Sequence, residues 1–406
     1  MIDRLAADMS VEQRLIGRIA GTNWSIGANR HWPAEWFVDL DHKALHHWAW
    51  QYKLRPMTAM ALRAAGWPDV DASQRAAYEE AERLCIVRAI EQLRLLREIS
   101  RRAAQQGLDL IVLKGVCLSV QLYGDPLIRE AHDLDLLVDP QSADRLDRLL
   151  RDLGCEAPAI PAHLTERQRS VRARFTHEEK FVHPASGITI ERHHKLSANT
   201  AIVEADFASL WQRRGTVAMG DFTVSTLGGA DLPYYLGVHA ARHGWERWKW
   251  AADLAMLLGR ADAAQIEALR ATARRMGTTS LVHSWILLIE AIAAGMPAAL
   301  VEEAGKDRHG VRLADMALAI STARQSRETI QAAGNALRPT LYRLLLKRRP
   351  RYVAIELGRL FYREKDWRDW NMPDVMIPFL FVRRPVAYLF RKIGNAARAS
   401  NGRGEA

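Results

Sequence analysis

Cysteine is scarce in this chain of 406 residues. The three present, Cys85, Cys117 and Cys155, stand far apart, with no CxxC pair and no even-numbered framework. That excludes a disulfide scaffold and reads as reduced thiols in a cytoplasmic protein. Long apolar runs are missing too. One, from Trp285 to Gly295, is broken by Glu290 and closed by Pro297; another, from Met376 to Phe390, contains Arg383, Arg384, Pro378 and Pro385. Neither matches the roughly 20 apolar residues that a bilayer-spanning helix needs. The first residues, MIDRLAADMS, carry acids and lead into no apolar h-region, so no secretory signal is expected. No repeat of fixed period is visible.

What is present is the composition of a folded chain, 49% hydrophobic and 26% charged, long enough for two or three domains. Wholesale disorder is excluded. The net charge of +10 is unevenly spread. Arg338–Ala406 holds 16 Lys and Arg against 6 Asp and Glu, so the body is neutral and the C-terminal segment carries the whole excess.

The patterning predicts an α+β fold in four parts: a helical region over 1–107, an α/β core over 108–227, a helical domain over 228–340 and a basic tail over 341–406. After Asp71 no Gly or Pro occurs until Gly107, and Ile86, Ile90, Leu93 and Leu96 recur at helical spacing, so one amphipathic helix is expected with Gly107 as its stop. Leu108–Gly115 then reads as a short buried strand and VCLSVQLY as a helix, ended at Gly124-Asp125-Pro126. His132–Pro140 reads as a second strand and Ser142–Gly154 as an amphipathic helix. Phe175–Leu196 reads as two strands around a turn at Pro184–Gly187. Helix returns from Asp231 to about Leu341.

Asp133-Leu134-Asp135 is the strongest chemical constellation. Residues i and i+2 of a strand point to one side, so the two carboxylates share a space. Like charges so placed repel and call for a cation, and Mg²⁺ is commonly held by one or two carboxylates plus substrate phosphates. A solvated strand face has the same pattern, so the pair alone does not decide. Upstream, Leu113-Lys114-Gly115 opens into a helix whose N-terminus offers free N–H groups to phosphate. Downstream, Glu191 in ITIERH supplies a third acid, and three carboxylates can hold two metals. Arg129 suits a phosphate or one of the acids. His193 shares the side of Glu191 and His194 does not. His132-Asp133 leads into a strand, unlike the helical pair of HD-type phosphohydrolases. His239 and His243 stand one helical turn apart, but Ala240 occupies the place of a zinc protease's general-base Glu.

The segment LIVLKGVCLSVQLYGDPLIREAHDLDLLVD resembles the nucleotidyltransferases of the DNA polymerase β superfamily, and in particular a poorly characterised bacterial branch with an LKG…DxDLLV signature. ITIERHHKL and HAARHGWERWKWAADLAMLL are similar to later blocks of that branch, and the likeness runs over roughly residues 30–290. The resemblance implies a small mixed sheet flanked by helical regions. It implies a metal-dependent enzyme (Mg²⁺ or Mn²⁺) that moves an NMP group from ATP or another nucleoside triphosphate (NTP) to an acceptor hydroxyl, releasing pyrophosphate. Asp133, Asp135 and Glu191 would be the catalytic metal ligands, and Lys114 and Gly115 would meet the triphosphate. Val116 stands where the superfamily usually has Ser or Gly, which leaves Ser119 or Lys114 to compensate. His239, His243, Trp245 and Asp253 would line the helical wall of the cleft, unless Trp245, Trp248 and Trp250 serve only to pack it. The acceptor (small molecule, sugar, peptide or protein) stays open. The alternative is a catalytically inactive nucleotide sensor or scaffold of the same fold. In the tail, LLLKRRPRY (344–352) and FVRRPVAYLFRK (381–392) mix arginine with aromatics, which suits peripheral contact with an anionic membrane surface. No base-reading module is present, and no sequence-specific nucleic acid binding is expected.

Overall fold

Residues 7, 9–24, 32–157, 163–323, 337–360 and 373–379 are described by a computed structural model. Its centre is a six-stranded mixed sheet of β1 (Leu110–Val112), β2 (Asp133–Val138), β3 (Glu178–His183), β4 (Ile188–His193), β5 (Gly215–Ala218) and β6 (Thr223–Thr226). The order is β3-β4-β2-β1-β6-β5. Strand β2 runs antiparallel to β1 and parallel to β4, with Asp135 opposite Glu191 and Leu137 opposite His193. Strands β3 and β4 form the expected hairpin, its turn closed by Gly187 at φ +65.

The described helices before the sheet are α1 (Val11–Gly21), α2 (His42–Tyr52), α3 (Arg55–Ala64) and α4 (Ala72–Gln105). Within it lie α5 (Val116–Tyr123), α6 (Ala143–Asp152), α7 (Glu166–Phe175) and α8 (Phe207–Gln212). After it come α9 (Asp231–Arg242), α10 (Lys249–Gly259), α11 (Ala263–Met276), α12 (Thr279–Ala293), α13 (Ala298–Gly305), α14 (Arg308–Thr322), α15 (Leu337–Leu345) and α16 (Pro350–Leu360).

Alternation along β2 divides the molecule into two cores. Leu134, Leu136 and Val138 face one way and pack with Leu96 and Ile99 of α4 and Leu146 and Leu150 of α6. Leu137 faces the other way, into a larger cluster that joins α1–α3 to α9–α14. The helices of 1–107 and 228–340 therefore meet in one core. Tyr52 of α2 stacks on Trp248 at 3.9 Å between ring centroids. Gly17 and Gly21 bring α1 against α12 so closely that a Cβ at either would collide with the carbonyl oxygen of Ile292 or Ala293.

Helix α4 begins with a capping box between Asp71 and Gln74, and Gly107 follows its end at φ +58. Its buried stripe is rotated from the expected one. Ala81, Cys85, Ala89, Gln92, Leu96 and Ile99 face inward, while Ile90 is 38% exposed. Small residues let the helix approach its neighbours, and that packing outweighs the side-chain size of the isoleucines. The basic tail is also less free than its composition suggests. Tyr342 of α15 and Tyr352 of α16 are fully buried, and Asn199 Nδ2 donates to Tyr352 O at 3.1 Å. Lys347 is buried and donates to the carbonyl of Ala201. The second basic stretch, 381–392, lies outside the described residues. No helix among the described residues is long and apolar enough to cross a membrane.

Candidate active site

The site begins where β1 ends. Lys114 follows the strand and is buried, with Nζ 2.5 Å from Asp135 Oδ1. Gly115 is the N-cap of α5 at φ +76, and a Cβ there would stand 2.9 Å from the carbonyl oxygen of Asp133. Only glycine fits that conformation and that gap. Val116 turns into the apolar core on the far side of the sheet.

Asp135 is fully buried. Burial alone would raise its carboxyl, but the Lys114 ammonium and a hydrogen bond from His193 outweigh it and hold the group well below the usual carboxylate range. Glu191, its cross-strand partner, goes the other way. Burial and then the charge of Asp135 raise its carboxyl to about 7. Lys180 Nζ lies 2.7 Å from Glu191 Oε1, but that side chain is 55% exposed and does not offset them. His193 Nε2 stands 3.1 Å from Asp135 Oδ1 and 3.8 Å from both Glu178 and Glu191. Donor atoms of Asp135, Glu191 and His193 all fall within 4.8 Å of one another, a spacing at which one cation can bridge them. Asp135 Oδ2 is buried with no hydrogen-bond partner, as an oxygen reserved for a cation would be. Asp133 is half-buried and opens onto the same cleft.

That cleft has a volume of about 470 Å³, within the range of small-ligand sites. Seven lysines and arginines and four carboxylates line it. Arg129 is one. Its Nε meets Asp253 Oδ1 at 2.9 Å, and Tyr123 donates to the same oxygen at 3.0 Å. Arg129 Nη2 is buried with no hydrogen-bond partner. His239 and His243 also line the cleft, their rings 4.8 Å apart and both against Trp250. Burial lowers His239, which keeps it neutral.

Of the expected residues, Gly115, Asp135 and His193 are buried behind the cleft lining but touch residues on or beside it, and three others are turned away from it. Ser119 is fully buried; its hydroxyl donates to Asp125 O at 2.6 Å and accepts from Arg129 N at 3.1 Å, which closes the loop between α5 and β2. Asp253 is fully buried and acts by fixing Arg129. Trp245 is buried at φ +57 in the helical core, and Trp250 takes the place at the wall. Conversely, sequence reasoning passed over His177, Glu178 and Lys180, although the alternation in THEEK puts Glu178 and Lys180 on the face of Glu191. It also missed Lys249. This buried lysine donates to Glu130 O at 3.0 Å, and burial followed by the Arg129 charge pushes its ammonium down to about 7. Glu130 in turn gathers Arg55 at 2.6 Å, His132 at 2.7 Å and Lys53 at 3.6 Å.

Compared with known proteins, residues 39–294 match a family model described as "Uncharacterised nucleotidyltransferase". No curated protein matches the chain.

Proposed function

Because the chain belongs to this family of uncharacterised nucleotidyltransferases, we propose that it transfers an NMP group from an NTP to an acceptor hydroxyl, with pyrophosphate as the leaving group, through a polymerase β-like site. The observation that carries this reading is the cross-strand pairing of buried Asp135 with Glu191, which lines a cationic cleft together with Asp133. Asp133, Asp135 and Glu191 would hold a divalent cation such as Mg²⁺ or Mn²⁺: donor atoms of Asp135 and Glu191 lie within 4.8 Å of each other, and Asp133 lines the same cleft. Such an ion, when bound, neutralises phosphate charge and polarises the reacting oxygens.

The chain's own residues supply the rest. Lys114, which lines the cleft beside Gly115, would meet the triphosphate. Arg129, with its spare Nη2, and Lys249 offer two more cations for the leaving phosphates. Bidentate arginine contacts fix an oxyanion in orientation as well as charge. Catalysis would come from alignment and charge neutralisation, with little covalent chemistry by the protein.

Titration with ATP and GTP in the presence of Mg²⁺, followed by assay of pyrophosphate with candidate acceptors, tests the proposal. Binding and acceptor-dependent pyrophosphate release are expected. Asp133 is engaged in no ion pair among the described residues, so Asp133→Asn should lower turnover by about a hundredfold or more with an unchanged Tm. Nucleotide binding with no pyrophosphate from any acceptor would point to a sensor. No binding of any NTP would refute the reading.

A further inference from the structure

Magnesium sites are built from oxygen, yet two imidazoles stand among the carboxylates on the cleft floor. His193 Nε2 has three carboxylates within 3.8 Å. His177 Nε2 lies 3.2 Å from Glu178 Oε2, the oxygen that also faces His193. The two rings meet edge-on, 5.4 Å between centroids. One donor atom each from His177, Glu178 and His193 falls within 4.8 Å of the others. Nitrogen and oxygen donors bind Zn²⁺ at about 2.0–2.2 Å, so ligands of one ion stand roughly 3–4 Å apart. Small side-chain rotations close this set.

We propose that His177, Glu178 and His193 form a seat for a borderline divalent ion of the zinc class, held by two imidazoles and one carboxylate. The hairpin makes the seat rigid: Glu178 and His193 are cross-strand partners in β3 and β4, and His177 directly precedes β3. In the metal-free site His193 Nε2 donates to Asp135 Oδ1, so an ion bound at Nε2 displaces that proton to Nδ1, which is buried without a partner. His177 and Glu178 both line the cleft, which leaves the fourth position open toward it. Three protein ligands plus an open position is how zinc sites that meet substrates are built. Imidazole selects such ions over Mg²⁺. Lys180 lies 3.4 Å from the other Glu178 oxygen and balances the excess negative charge. His193 belongs to both donor sets, but Asp133 and the nucleotide lie outside the seat, so Zn²⁺ binding without nucleotide reads the seat separately from transfer.

Calorimetric titration of the metal-free, full-length chain with Zn²⁺ alone is expected to fit one tight equivalent that excess Mg²⁺ leaves in place. X-ray absorption of the zinc-loaded protein should show imidazole scattering. His177→Gln and Glu178→Gln should each weaken Zn²⁺ binding by at least about tenfold. Asp133→Asn should bind Zn²⁺ as the wild type does, even where it has lost transfer. An all-oxygen shell in the wild type, displacement by Mg²⁺ at equal concentration, or no Zn²⁺ bound at all overturns the proposal. So does wild-type affinity in both ligand variants. The absorption measurement needs no variant, so it decides even if a substitution prevents folding.

Discussion

Strand β2 has two faces built by opposite rules. On one, Leu134, Leu136 and Val138 are sealed against α4 and α6 with no polar partner to find. On the other, Asp133 lines a cleft with Asp135 buried behind it, and charges there are set against one another: Lys114 with Asp135, Arg129 with Asp253, and the exposed Lys180 with Glu191. The leucine face gains free energy simply by leaving water. The charged face loses hydration and recovers only part of it through its pairs. One strand thus divides the work. Its apolar side holds the sheet in shape, and that rigidity lets its acidic side keep carboxylates where they would not otherwise stay.

Substitutions can break this contrast from either side. The largest effect is expected from Asp135→Asn, which strands the buried Lys114 without its counter-charge. A stability loss of about 3–5 kcal/mol is expected by chemical denaturation, and adding Lys114→Met should return much of it. If the second change returns nothing, the pair is not what stabilises the acidic face. Next comes Leu136→Ala on the apolar side, at about 2–5 kcal/mol. Nucleotide affinity of the remaining folded protein should be unchanged, and a large loss of affinity would mean the two faces are not separable. The smallest effect concerns Lys249. Its ammonium is pushed down to about 7, and a bound phosphate would raise it, so binding takes up a proton. Affinity for NTP should therefore be full below about pH 7 and fall as the pH rises, by at most about tenfold per unit. Lys249→Met should flatten that part of the profile, measured by calorimetry, and an unaltered slope would remove Lys249 from the site.

The parts of the fold that were legible in sequence are those governed by a short period. The two-residue alternation of HDLDLLVDP and ITIERH placed β2, β4 and the shared side of Asp135, Glu191 and His193. The glycine-bounded run after Asp71 placed α4. Its buried stripe was not legible, because close approach by Ala81, Cys85 and Ala89 decides it, and that depends on what the helix packs against. Strands β5 and β6, at four residues each, are too short to carry a period. Ser119, Trp245 and Asp253 were misplaced for a related reason. Their polar or aromatic character is visible in sequence, but whether it is spent on a neighbouring loop, a core or a ligand is settled by tertiary contacts. Lys249 hides among the tryptophans of WERWKW, where nothing local marks a lysine as buried.

The register between β2 and β4 carries one more consequence. Across three adjacent strands, Lys180, Glu191 and Asp135 stand in line. A slip of β4 by a single residue would bring Ile190 or Arg192 into that row and send Glu191 and His193 toward the leucine layer. Mispairing would thus strip hydration from an acid and an imidazole while leaving Asp135 without its neighbours, two penalties for one error. The chemistry that the site needs also proofreads the assembly of the sheet.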